Sequence, residues 1–397
     1  MAEPFKLIFN DSLVLSLSEH FNKLDKQPGF SFKAKEFRFA AQNGLERLEL
    51  KARSKHIQKA LDEHIECDLA SLCRYIPTLL HPDDRSSIST ERCSQQGLAG
   101  WALMPVGDLL AQRLLDLAAR RDVSEELVLA VLQCMRAMTS RFSAEFCVRP
   151  LIERFPKISL SYLQQTAASV NDHERRWASE GTRPKLPWGM SLPRLGKDPS
   201  IALPILEQLF LDPAIYVRTS VANHLNDYSH QHPDFVHSTA QAWQKQYQRL
   251  QSKTDLDPKA FRSMLKKACR NNIKNGHQQT LALFGVTPAK VDLHVSFPKS
   301  VQRDASALLE IAVTSLSKAR QNLVVDYEIG YQRANGSLSY KVFKGKELSL
   351  EKGKSLSFAK KVSFKPITTR KYYLGLHDIR IKVNGEIQAS QPFTLIN

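Results

Sequence analysis

The hydrophobic period of this chain changes once, near residue 287, and that change limits the fold more than any other feature. Residues 1 to about 285 repeat apolar side chains three and four apart, the spacing of one helix face. Gly44–Leu61 shows the pattern, and Glu125–Met138 repeats it with Leu127, Val128, Val131, Leu132 and Met135. After Phe284-Gly285-Val286-Thr287-Pro288 strict alternation takes over in Val291–Phe297. It returns in Leu323–Ile329, Ser339–Val342, Leu356–Val362 and Ile379–Val383, with turn signals at Asn335-Gly336, Lys352-Gly353 and Asn384-Gly385. Alternation puts apolar groups on one face of a strand and scatters them around a helix, so the two regions need different cores. The expected fold is multidomain. An all-α helical-repeat solenoid spans 1–287, and an all-β immunoglobulin-like sandwich of some seven strands spans 288–397.

Within the helical region, Asp198-Pro199 and Asp212-Pro213 each precede an apolar-periodic run. Asp can cap free amides and Pro suits the first helical position, so both mark helix starts. Glu145-Phe146-Cys147-Val148-Arg149 faintly echoes Ala214-Ile215-Tyr216-Val217-Arg218, as stacked helix pairs would. Cysteines stand at 67, 73, 93, 134, 147 and 269 with no C-x-x-C pair, so they read as small core residues without a metal or redox role. None lies in 288–397, so the sandwich has no disulfide between its sheets.

The chain of 397 residues carries 56 Lys+Arg against 40 Asp+Glu, a net charge of +16, and residues 289–397 hold 18 basic and 9 acidic side chains. A polyanion is the first partner this balance implies, nucleic acid ahead of an anionic membrane, against the plain alternative of a basic soluble protein. No run of 18 apolar residues occurs, and the first residues lack an export-type apolar segment. Cytoplasmic residence, nucleoid-associated when on DNA, and a monomer are expected.

Residues 171–190, NDHERRWASEGTRPKLPWGM, break the helical pattern and read as an irregular connection bearing Trp177 and Trp188. The plain reading tucks both indoles into the adjacent core. On the helix that follows, Val217, Val221 and Leu225 should pack inward, while Tyr216, Ser220, Asn223 and Asp227 form a separate polar stripe. Such a stripe faces either solvent or a concave functional side, and spacing does not decide which.

Three segments, Ala144–Pro150 (AEFCVRP), Ser179–Trp188 (SEGTRPKLPW) and Val217–Asp227 (VRTSVANHLND), resemble in order and spacing the signature blocks of the AlkC-type DNA alkylation repair glycosylases, within the AlkC/AlkD superfamily. Leu48-Glu49-Leu50-Lys51, Gly375-Leu376-His377 and Val383-Asn384-Gly385 extend the likeness over nearly the whole chain; Cys147 and Val148 depart mildly from the usual Ala-Ile. The resemblance implies a HEAT-like solenoid with a C-terminal immunoglobulin-like domain. It also implies hydrolysis of the N-glycosidic bond of cationic alkylated bases, chiefly 3-methyladenine, in double-stranded DNA, with no cofactor or metal. By matching motif, the functional positions are Glu145, Glu180, Trp188 and Asp227.

These residue types suit that reaction. As a cationic base departs, positive charge shifts to the sugar, and a carboxylate near C1′ stabilises it or orients water. Asp227, on a helix, is the first candidate, followed by Glu180 and Glu145. Trp188 offers an indole face for a cation. Arg149, Arg183, Arg218, Lys266, Lys267 and Arg270 are candidate phosphate contacts. The sandwich adds Lys341, Lys344, Lys346, Arg370, Lys371, His377 and Arg380, with Gly375-Leu376-His377 expected as a loop that reaches DNA. Two competing readings are a non-catalytic scaffold for nucleic acid or protein, and an enzyme acting on a free nucleoside or sugar.

Overall fold

The computed structural model describes residues 5–82, 96–367 and 370–397, so Cys93 lies outside the described residues. The chain divides into two compact units, residues 1–228 with 249–264, and residues 229–248 with 265–397.

The first unit is helical, from Asp11–Asn22 to Ile215–Asp227, with helices packing on partners one to three places away along the chain. Polar caps fix several starts: Asn10, Asp68, Ser124 and Asn171 side chains each accept from a backbone amide of the following turn. The expected helix start after Asp212 forms, with the Ala214 amide donating to its carboxylate at 2.8 Å. Val217, Val221 and Leu225 are fully buried, as their spacing requires. Each stabilises the unit by about 1.5–3 kcal/mol relative to exposure. Cys73, Cys134, Cys147 and Cys269 are buried free thiols, whereas Cys67 is half-buried.

One sequence expectation fails here. Much of the stretch read as irregular is a helix, Asp172–Gly181. Asn171 caps it, Asp172 and Glu174 complement its N-terminus, and Trp177 is its buried anchor. Its inner face is otherwise small or charged, which hid the helical period.

The second unit joins C-terminal helices to the sandwich. Its strands are β1 (Val291–Ser296), β2 (Ser300–Gln302), β3 (Ser306–Ser315), β4 (Gln321–Gln332), β5 (Leu338–Leu350), β6 (Ser355–Ser363), β7 (Gly375–Val383) and β8 (Glu386–Ile396). They form a five-stranded sheet, β2-β8-β7-β4-β5, and a three-stranded sheet, β1-β3-β6. All pairings are antiparallel except β2 with β8. Inward residues such as Leu309, Ile311, Val325, Ile381 and Phe393 fill the core between them.

The buried Asn384 side chain fixes the joint between helices and sandwich. Its amide donates to the carbonyls of Thr287 (2.6 Å) and Asn322 (3.1 Å), and its oxygen accepts from the Val324 amide at 2.7 Å. Beside it Gly385 lies so close to Gly276 that a Cβ on Gly385 would come within 2.2 Å of the Gly276 Cα. The helices are therefore locked to the β7–β8 turn, which is why they belong to the same compact unit as the sandwich.

Candidate active site

Three of the sequence-identified acids converge in the first unit. Glu145 precedes the helix Arg149–Arg154, Glu180 lies at the end of Asp172–Gly181, and Asp227 closes Ile215–Asp227. Two arginines interleave them. Arg183 donates from Nε to Asp227 Oδ2 at 2.8 Å, from Nη2 to Oδ1 at 3.1 Å, and from Nη1 to Glu180 Oε1 at 2.7 Å. Arg176 donates to both Glu145 oxygens at 3.2 and 3.3 Å, and its Nη2 lies 3.7 Å from Glu180 Oε1. Ser220, from the polar stripe, donates to Glu180 Oε2 at 2.5 Å. The result is an alternating chain, Glu145–Arg176–Glu180–Arg183–Asp227.

Such burial of charge is tolerated only with partners in good geometry. Desolvation opposes the charge on Arg183, yet its bonds to Asp227 and the field of Glu180 raise its pKa above the ordinary value. Arg176 is raised likewise, despite burial, chiefly by the field of Glu145. Burial pushes the Glu145 carboxyl up, with Arg176 opposing. A forked guanidinium holds a carboxylate in a fixed plane, so Asp227 and Glu180 are aimed before any ligand arrives.

The same helix carries a further buried polar residue that the stripe does not include. His224 is fully buried; its Nδ1 lies 2.9 Å from the Ser179 carbonyl and its Nε2 lies 3.3 Å from the Tyr228 hydroxyl. A carbonyl can only accept, so Nδ1 carries the proton and Nε2 accepts from Tyr228. Burial first, then the neighbouring Arg183, lower the His224 pKa to about 3. A neutral imidazole thus pins the backbone beside Glu180.

Trp188 stands apart from Trp177. It is 57% exposed, and its backbone is left-handed with φ 66°, a conformation a bulky residue rarely adopts. Its turn is closed by the Gly189 amide donating to the Leu186 carbonyl at 3.1 Å. Arg149 ties that turn to the acid-bearing helix: Nε donates to the Met190 carbonyl at 2.6 Å and Nη1 to the Gly181 carbonyl at 3.0 Å. Phe5 packs between Trp188 (5.8 Å) and Trp101 (5.0 Å), and Trp101 meets Phe142 at 4.9 Å, three residues before Glu145. The indole is thus exposed on a strained backbone, next to a turn held by the buried Arg149.

Several expected phosphate contacts are corrected. Arg149 is wholly buried and occupied by the two carbonyls; Arg183 is committed to Asp227 and Glu180; Arg218 is buried against the carbonyls of Asp212 and Pro213. His377 does not sit on a loop. Gly375 opens β7, and His377 lies in the sandwich core with Nε2 at 2.9 Å from the Tyr373 carbonyl and its ring stacked on Phe393. Lys266, Lys267 and Arg270 stay at least partly exposed. Sequence reasoning missed Arg176, Ser220 and His224 as site residues. Once 172–181 is known to be helical, the i, i+4 pair Arg176/Glu180 identifies the first of them.

Among the described residues no group of three or more His, Cys, Asp and Glu is placed to hold a metal ion, and no helix is long and apolar enough to cross a membrane.

A helical-repeat unit with an arginine-braced acid cluster, followed by an immunoglobulin-like sandwich, defines the class. Residues 291–397 match the family model described as "Uncharacterised protein YhaZ, C-terminal Ig-like domain". The chain is 37% identical over 265 residues to the uncharacterized protein YhaZ of Bacillus subtilis (strain 168), covering 66% of this chain and 71% of that relative. It is similar over 100% of both chains, with a TM-score of 0.79 and 29% identity, to the Pseudomonas fluorescens alkylpurine DNA glycosylase AlkC bound to DNA containing an abasic site analog. The chain belongs to the AlkC/YhaZ family.

Proposed function

We propose that this protein is a DNA glycosylase that removes cationic alkylated bases, chiefly 3-methyladenine, from double-stranded DNA. The observation that carries this reading is the chain of three carboxylates fixed by two arginines, on the same motif blocks that resemble the glycosylases. A scaffold would have no use for acids near a polyanion, since they oppose its binding.

In the proposed reaction, the N-glycosidic bond breaks with its electron pair passing to the base, which leaves neutral. The sugar becomes oxocarbenium-like at C1′; water adds there and gives up one proton. Asp227 stabilises the cationic sugar and takes or orients that proton, with Glu180 and Glu145 supporting the negative field. Since a cationic base leaves without protonation, no general acid is needed. Trp188 presents its indole to the cationic lesion, a preference worth about 0.5–2 kcal/mol over a neutral base. Residues 1–287 act as the catalytic part and 288–397 grip the duplex; the enzyme works as a cytoplasmic monomer without a cofactor.

The test is chromatography of bases freed from methylated duplex DNA by the purified protein, alongside methylated free nucleoside. Release of 3-methyladenine from duplex alone is expected. No release from duplex, or release from the nucleoside only, would overturn the reading.

A further inference from the structure

The N-terminal turn of the first unit packs beside the exposed indole of Trp188. Phe5 opens a 3-10 turn, Phe5–Ile8, and remains 48% exposed. Its ring lies 5.8 Å from that of Trp188, tilted by 44°, and meets Trp101 edge-on at 5.0 Å. We propose that Phe5 is a positioning residue, a buttress that holds the Trp188 indole in the orientation that meets a cationic base; the inference rests on the glycosylase reading above.

The buttress is itself anchored. Arg53, buried on the helix Leu50–His64, donates from Nη1 to the Phe9 carbonyl at 2.8 Å, from Nε to the Leu48 carbonyl at 2.9 Å and from Nη2 to the Glu46 carbonyl at 3.0 Å. One planar fork thus ties the end of the N-terminal turn to the residues that lead into the helix. Lys6, next to Phe5 in the chain, donates to Glu49 at 2.6 Å, and the Asn10 side chain donates to the Leu7 carbonyl at 3.0 Å. The exposed Lys6–Glu49 pair adds little stability alone; the buried fork of Arg53 holds the turn. Leu48 and Glu49 belong to the Leu48–Lys51 segment, a part of the family likeness to which the acid cluster gives no role. Anchoring the turn that carries Phe5 gives it one.

Trp188 needs such support. It stands exposed on a left-handed turn, and among the described residues Phe5 is the one aromatic ring packed against it. A free side chain samples several rotamers, and immobilising it on binding costs affinity. A cation is attracted by the face of an indole, so the orientation of the ring decides the gain. Phe5 restricts that orientation before DNA arrives, and is backed in turn by Trp101, which packs on Phe142 at 4.9 Å. Phe9, four residues on, is fully buried and serves the core; Phe5 stays half-exposed, with its ring contacts on Trp188 and Trp101.

The experiment labels the four tryptophans of the full chain as 5-fluorotryptophan and reads their fluorine resonances without DNA. The Trp188 resonance is the one lost in Trp188→Gly. In Phe5→Ala it should narrow and move toward the shift of the free amino acid, while Phe5→Tyr, which keeps the ring, should leave it in place. In single-turnover release of 3-methyladenine from methylated duplex DNA, Phe5→Ala should be about 2- to 10-fold slower than wild type, and Phe5→Tyr should match wild type. Phe5→Ala should add no loss to Trp188→Gly, because the buttress then has nothing to hold. An unmoved Trp188 resonance in Phe5→Ala would overturn the proposal. So would a Phe5→Ala loss that persists in the Trp188→Gly background. Failure of the glycosylase reading looks different: the wild type itself would release no base, whatever the resonance does.

Discussion

Cationic side chains meet two fates in this molecule. In the helical unit Arg149, Arg176, Arg183 and Arg218 turn inward, onto carboxylates and backbone carbonyls. In the second unit Lys266, Lys274 and Lys344 keep their ammonium groups at the surface, two of them braced by Glu347. The difference follows from chemistry. A guanidinium spreads its charge over five donors in a rigid fork and is weakly hydrated, so it can be buried against several acceptors at once; an ammonium is strongly hydrated and stays wet. Arginine therefore builds the acid cluster, and lysine stays at the surface.

The comparison breaks first at Arg183. Replacing it with Ala leaves Glu180 without its closest cation and Asp227 without its bidentate partner, and should destabilise the protein by about 3–5 kcal/mol in urea unfolding. Arg183→Lys should recover only part, since one ammonium cannot reproduce the fork. A loss under 1 kcal/mol would mean that the fork contributes little to holding the acids.

A smaller effect tests the buried imidazole. His224 has its pKa lowered to about 3, so as pH falls through 6.5 the unfolded chain takes a proton that the folded chain refuses. Stability should drop by about 2 kcal/mol between pH 7 and pH 5 from this group alone. His224→Gln should lack that share of the slope, and parallel stability–pH curves for the two proteins would refute it.

The smallest effect sharpens the contrast between braced and strained positions. Trp188→Gly removes an exposed indole and relaxes a left-handed backbone, so stability should stay within about 1 kcal/mol. Release of a cationic base should nevertheless slow by roughly 2- to 30-fold, the worth of a cation–π contact. Unchanged release would remove Trp188 from the site.

Much of the fold was legible because it rests on periodicity. The change near residue 287 falls between the last helix, ending at Leu283, and β1, starting at Val291. The described residues of the sandwich form eight strands where some seven were expected; the extra pairing includes short β2, three residues long and too brief to show alternation. The 172–181 helix was hidden because paired charges, not apolar residues, stabilise most of its inner face. For the same reason Arg149, Arg183 and Arg218 read as surface charges, since a sequence shows charge but not its partner. His377 was misplaced because its turn-like Gly375 actually opens a strand. The acids themselves were found through their motif blocks, while the arginines that bring them together emerged only in three dimensions.

The most direct test of the braced acid cluster is single-turnover release of 3-methyladenine from methylated duplex DNA by Asp227→Asn at saturating enzyme. This isosteric change keeps an acceptor for Arg183 but removes the negative charge. Release should fall at least about 100-fold while affinity for undamaged duplex stays within about twofold, because the proposed DNA grip lies elsewhere. Release at the wild-type rate would contradict the role assigned to Asp227 and, with it, the catalytic meaning of the cluster.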